Sequence, residues 1–185
     1  DVTNAVTFNN TGSVTFGNGG GDALTFTGGI THTAGVNAIN GDITATNNPI
    51  NLNNTTTVGG NSTLAAGSGL ITLGATTLAD GVTLTLGTGG SGAVTVASIA
   101  GTAGGAASNV TFNVTGLVGV TTTVGTDIGT LTVTNSGGTT FGGAVGGGAD
   151  RITTVALTDT TGTIQFSDNL YATTMTAAAN AYNVS

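Results

Sequence analysis

Few side chains in this sequence can do chemistry, and their spacing limits what they can do. The eight acidic residues are all Asp, scattered singly from Asp1 to Asp168, and Arg151 and His32 are the only basic side chains. Gly17-Asn-Gly-Gly-Gly-Asp22 approximates the Gly-Gly-x-Gly-x-Asp turn, whose carboxylates and carbonyls hold calcium between stacked coils. Such turns work as arrays and this match stands alone, so Asp22 reads first as a corner residue and only second as a calcium ligand. Cleaving a polysaccharide requires clustered carboxylates to protonate a leaving group or form an intermediate. Asp150 beside Arg151 is the only adjacent acid and base, and a surface corner accounts for the pair. His32, in Ile30-Thr-His-Thr33, has no nucleophile or acid near it in sequence. No catalytic residue is assigned, no cofactor is expected, and the chain reads as a non-enzyme. Asp127, Asp150, Asp159 and Asp168 read as turn formers that hydrogen-bond their own backbone.

Composition points the same way. Only 5% of the 185 residues are charged, against about 25% in an average domain. Lys, Glu, Cys and Trp are absent and the net charge is -7. A dispersed acidic surface repels nucleic acid and keeps a long assembly soluble. Without cysteine, neither disulfides nor thiolate metal sites are possible. The scarcity of Lys, Glu and Arg favours an extracellular or cell-surface location. No apolar run of 18 residues exists, so no membrane-spanning helix is expected, and no N-terminal basic and apolar leader appears. Richness in Val, Ile and Thr argues against disorder.

What remains is a repeat. Apolar-polar-apolar triplets recur, among them Val6-Thr7-Phe8, Val14-Thr15-Phe16, Leu24-Thr25-Phe26, Ile43-Thr44-Ala45, Ile50-Asn51-Leu52, Ile71-Thr72-Leu73, Val94-Thr95-Val96, Val110-Thr111-Phe112, Leu131-Thr132-Val133 and Ile164-Gln165-Phe166. Period-2 alternation places both apolar side chains on one face of a strand and the polar one on the other. The gaps between triplets are too short for crossover helices. Hairpin dipeptides such as Asn40-Gly41 and Asp80-Gly81 are too few for an antiparallel meander. The expectation is therefore an all-β parallel β-solenoid over residues 1–185, three strands and about 20–25 residues per coil. Stacked at about 4.8 Å, roughly eight coils would make a rod near 40 Å long.

Within this frame the 34 Gly residues and the Asn residues at Asn47-Asn48, Asn53-Asn54 and Asn135 serve corners. Pro49 belongs at a strand start or corner. Ala100 to Ser108 and Gly142 to Asp150 are expected as loops or bulged turns. Asn-x-Ser/Thr triplets at Asn9, Asn53, Asn54, Asn61, Asn109 and Asn113 permit glycosylation without arguing for it. Rows of Thr raise an ice-binding solenoid as a minor alternative. That face needs a regular Thr-x-Thr in every coil, and the spacing along the sequence is too irregular for it.

The run from Thr140-Phe-Gly-Gly-Ala-Val-Gly-Gly to Gly148, then Ile152 to Thr158, Gly162 to Phe166 and Tyr171 to Val184, resembles the repeats of filamentous-hemagglutinin-like bacterial surface proteins. Gly69 to Gly74 and Asp80 to Leu86 are similar to the same repeats, which also occur in autotransporter passengers. The resemblance implies a right-handed parallel β-helix, the hand that parallel crossovers usually take, exported and displayed on a bacterial surface. The secretion domain such proteins carry is not recognisable. The expected role is structural: a stiff stalk or filament unit, a segment of a longer or polymeric protein, with itself as partner by end-to-end stacking. The alternative is an adhesin module that binds surface glycans through loops carrying Tyr171 or Tyr182. Nucleic acid and membrane insertion are not expected.

Overall fold

The computed structural model describes residues 1–179 and 183–185. Among them all regular structure is β-strand. The first coil holds β1 (Val6–Phe8), β2 (Val14–Phe16) and β3 (Ala23–Thr25), the second β4 (Ile30–His32), β5 (Asn37–Ile39) and β6 (Asp42–Thr44), and the third β7 (Ile50–Leu52), β8 (Thr56–Val58) and β9 (Ser62–Ala65). From the fourth coil the first two sides fuse into one bent strand, giving β10 (Ile71–Leu78) with β11 (Thr83–Gly90), then β12 (Val94–Gly101) with β13 (Ser108–Val114). The later coils hold β14 (Val118–Val120) and β15 (Ile128–Ser136), β16 (Thr139–Phe141) and β17 (Ile152–Thr160), and β18 (Thr163–Phe166) and β19 (Ala172–Ala177), before β20 (Asn183–Val184) begins the next turn.

Each strand pairs in parallel with its equivalents one coil before and after, forming three faces. Face 1 runs unbroken through Val6, Ile30, Ile50, Ile71, Val94, Val118, Thr139, Ile164 and Val184. Face 2 joins β2, β5, β8 and the second halves of β10 and β12, then thins to single bridges at Val124, Val145 and Leu170. Face 3 joins β3, β6, β9, β11, β13, β15, β17 and β19. The result is a parallel β-solenoid of about 8 turns with about 22 residues per coil.

Alternation dictates which side chains enter. The inward positions of the middle coils are buried, including Ile30, Ile50, Ile71, Val94, Leu84, Val110, Leu131 and Val155, and they form one continuous apolar core. Each such side chain taken from water contributes about 1.5–3 kcal/mol. The six Phe rings lie at two levels, Phe8, Phe16 and Phe26 edge to face near the first coil and Phe112, Phe141 and Phe166 in the later coils.

The corners follow from close backbone approach. Where face 3 turns into face 1, Gly69, Gly92, Gly116, Gly137 and Gly162 sit over backbone of the preceding coil. A Cβ on Gly92 would lie 1.9 Å from the Gly69 carbonyl oxygen. Asn side chains at corners tie coil to coil: Asn47 Oδ1 accepts the Ser68 N–H at 3.0 Å, and the Asn54 amide donates to the His32 carbonyl at 2.8 Å. Asn47 adopts the left-handed conformation, with φ of 57°. Pro49 immediately precedes β7.

Several local expectations need correction. Leu24-Thr25-Phe26 and Ile43-Thr44-Ala45 lie one residue later than β3 and β6, because backbone pairing starts at Ala23 and Asp42. Asn135 and Asp159 are strand residues paired with each other across β15 and β17, not turn formers. The loop expected from Ala100 to Ser108 shrinks to 102–107, its ends being drawn into β12 and β13. The loop from Gly142 to Asp150 is pinned midway by Val145, which is fully buried and bridges Val124 and Leu170.

Candidate functional surfaces

Asp22 sits at the corner before β3, and its Oδ2 accepts the Asn18 N–H at 2.6 Å. Its backbone carbonyl accepts the Asp42 N–H at 2.7 Å, so the residue closes its own loop and joins the next coil. Among the described residues no group of three or more His, Cys, Asp or Glu side chains is gathered. Asp150 and Arg151 turn apart. The Asp150 carboxylate accepts the Asp127 N–H at 2.8 Å, while the Arg151 guanidinium lies 5.9 Å from the centroid of the Tyr171 ring and donates to the Ala172 carbonyl at 3.4 Å. Asp127 has φ of 59° and Asp168 accepts the Asn169 N–H at 2.7 Å, both turn roles. Tyr182 lies outside the described residues.

His32 is an inward residue, only 2% exposed. It stands in the inward row of face 1 after Phe8, whose ring meets it edge to face at 6.4 Å. Its Nδ1 is 2.7 Å from Asn37 Oδ1, and its Nε2 is 3.3 Å from the Asn10 carbonyl. The Asn37 amide donates to the Leu52 carbonyl at 3.2 Å and to Thr56 Oγ1 at 3.1 Å. That fixes which way the amide points, so Asn37 Oδ1 is the acceptor and His32 Nδ1 the donor. His32, Asn37 and Thr56 are all buried, and their mutual hydrogen bonds satisfy polar groups inside the rod. Sequence spacing did not single out Asn37 or Thr56, because neither belongs to an apolar-polar-apolar triplet.

A second inward polar cluster closes a late corner. Thr160 donates to the Ser136 carbonyl at 2.5 Å, Thr139 donates to Ser136 Oγ at 3.0 Å, and the Ser136 and Thr160 hydroxyls are hydrogen-bonded to each other.

Two features remain on the outside. One is a shallow groove of about 530 Å³ along face 1, lined by Val94, Thr95, Leu117, Gly119, Gly138 and Thr140. Leu117 on its rim is 67% exposed. The other is the outer surface of face 3, where Thr dominates. No protein-family model matches the chain, no curated protein is detectably similar to it, and no solved structure matches it.

Proposed function

We propose that this chain is a structural β-solenoid, a rigid stalk or filament element of a bacterial surface or its matrix, of the kind the filamentous-hemagglutinin-like repeats suggest. The observation that carries the reading is the unbroken parallel ladder from Val6 to Val184 around a single apolar core. In such a stack every coil is held by its neighbours, and stability grows with the number of interfaces. Side chains that could do chemistry are spent on corners: Asp22, Asp150 and Asp168 bind backbone, and His32 is enclosed. An extracellular location agrees with the near absence of Lys, Glu and Arg, and end-to-end stacking of coils is the expected mode of self-association.

Negative-stain electron microscopy and small-angle scattering of the purified segment test this reading. The expected particle is a rod whose length is a multiple of about 40 Å, from eight coils at about 4.8 Å. Compact spheres that never lengthen with concentration would count against filament formation. The groove beside Leu117 supports a second reading, an adhesin that holds a ligand on face 1. Saturable binding on a glycan array, lost in Leu117→Asp, would favour that reading over the purely structural one.

A further inference from the structure

The outer surface of face 3 carries a two-dimensional array that the sequence conceals. Strand register aligns Thr83, Asn109, Thr130, Thr154 and Thr174 in one column. It aligns Thr85, Thr111, Thr132, Ala156 and Thr176 in the next. Residues two apart on a strand point to the same side, so each coil contributes a pair and the pairs stack. The pairs are separated by about 4.8 Å along the rod and about 6.7 Å along each strand. Spacing along the chain looked too irregular for such an array, because the loop at 102–107 and the register shifts between Ser108 and Asn109 and between Phe112 and Asn113 hide it. Within the columns Asn109 and Ala156 are the two departures from Thr.

The hydroxyls here differ from those of the Thr residues that follow strands at the corners. Thr33, Thr102, Thr115, Thr121 and Thr122 fold back onto carbonyls of the preceding coil. Among the described residues, no hydroxyl of the two columns has a protein partner. The columns contain no charged and no aromatic side chain. β-Branching stiffens each Thr; the Thr residues of β11, β13, β15 and β17 in the columns are half-buried, while Thr174 and Thr176 at the end of the columns are exposed. The face therefore offers water both hydroxyls to bond and methyls between them.

We propose that face 3 binds ice. A crystalline surface of hydrogen-bonding oxygens, with repeats close to those of strand spacing and strand pleat, is the partner that such an array matches. Water already ordered on the columns lowers the cost of ordering on contact, and many matched sites engage together. The other faces lack a double column of this length: face 1 has one outward column, which includes Gly119, and face 2 thins to single bridges after β12. This inference does not depend on the stalk reading, since a rod without an ice face is still a rod.

Partition into a slowly grown ice front, with nanolitre osmometry for thermal hysteresis, tests it. The wild-type segment is expected to enter the ice and to hold freezing below melting. Thr132→Lys, in the middle of the array, is expected to lose both effects, and Thr140→Lys on face 1 to keep them, with the same circular dichroism. A wild-type segment that is rejected by the ice and shows no hysteresis overturns the proposal, whether or not the variants fold. Equal loss in folded Thr132→Lys and Thr140→Lys overturns it too, by removing face 3 from the effect.

Discussion

The first three coils and the last three close the same circuit in different ways. Early coils have three short sides, and the inward row of face 2 passes from Val14 to Asn37, Thr56 and then Thr76, the last three being polar groups held by His32 and by backbone carbonyls. In late coils the same row continues as Ile99, Val124, Val145 and Leu170. Face 2 there thins to single bridges, while face 3 lengthens from the three residues of β3 and β6 to the nine of β15 and β17. A coil of fixed circumference can therefore shift its backbone pairing from one side to another. Its interior can be filled either by a hydrogen-bonded polar cluster or by aliphatic packing.

The largest break in this comparison is expected at Phe141, fully buried and stacked with Phe166 at 5.1 Å. Phe141→Ala should cost about 3–5 kcal/mol. The loss is predicted to fall on the late coils, read by hydrogen exchange as lost protection there while β4 to β9 stay protected. Gly92→Val, at the junction of the two regions, forces a Cβ against the Gly69 carbonyl. It should cost about 3 kcal/mol, at the upper end for overpacking, and uncouple the halves into two thermal transitions.

In the early coils, Asn37→Ala removes the acceptor of His32 Nδ1 and one of the bonds of Thr56, and is expected to cost about 1–3 kcal/mol. Exchange should rise around β4, β5 and β8 only. The combined change His32→Leu, Asn37→Val and Thr56→Val makes the early row resemble the late one. Because the three side chains that bond one another are removed together, the triple variant should be more stable than Asn37→Ala alone. A triple variant less stable than the single one would show that the cluster stabilises the early coils beyond satisfying itself. Smallest of all, Thr77→Ser on the exposed side of face 2 should stay within about 0.5 kcal/mol of the wild type in a denaturant titration.

Sequence carried the fold wherever alternation was simple. β1, β2 and β7 coincide with triplets read from the residues, and the β10, β12, β13, β15 and β18 triplets lie within longer strands. It failed at β5 and β8, where Asn37 and Thr56 face inward and invert the polar pattern, and at β14, whose outward residue is Gly119. Single-residue sides such as Val124 and Val145 leave no periodic trace at all. Asp22 and the Asp150-Arg151 pair could be named from sequence, but what each carboxylate binds depends on which coil lies beside it. The Thr columns were hidden for the same reason: their regularity belongs to register between coils, and loops of unequal length erase it along the chain.

The parallel ladders also set how the rod meets force. Its hydrogen bonds between coils point along the axis, so a pull on the two ends loads the terminal ladder first and opens it like a zipper. Each coil that peels away frees about 22 residues, or about 70 Å of extended chain. The rod resists bending as a stiff body yet lengthens under tension in steps. A sudden load would be absorbed one turn at a time, leaving the remaining coils intact.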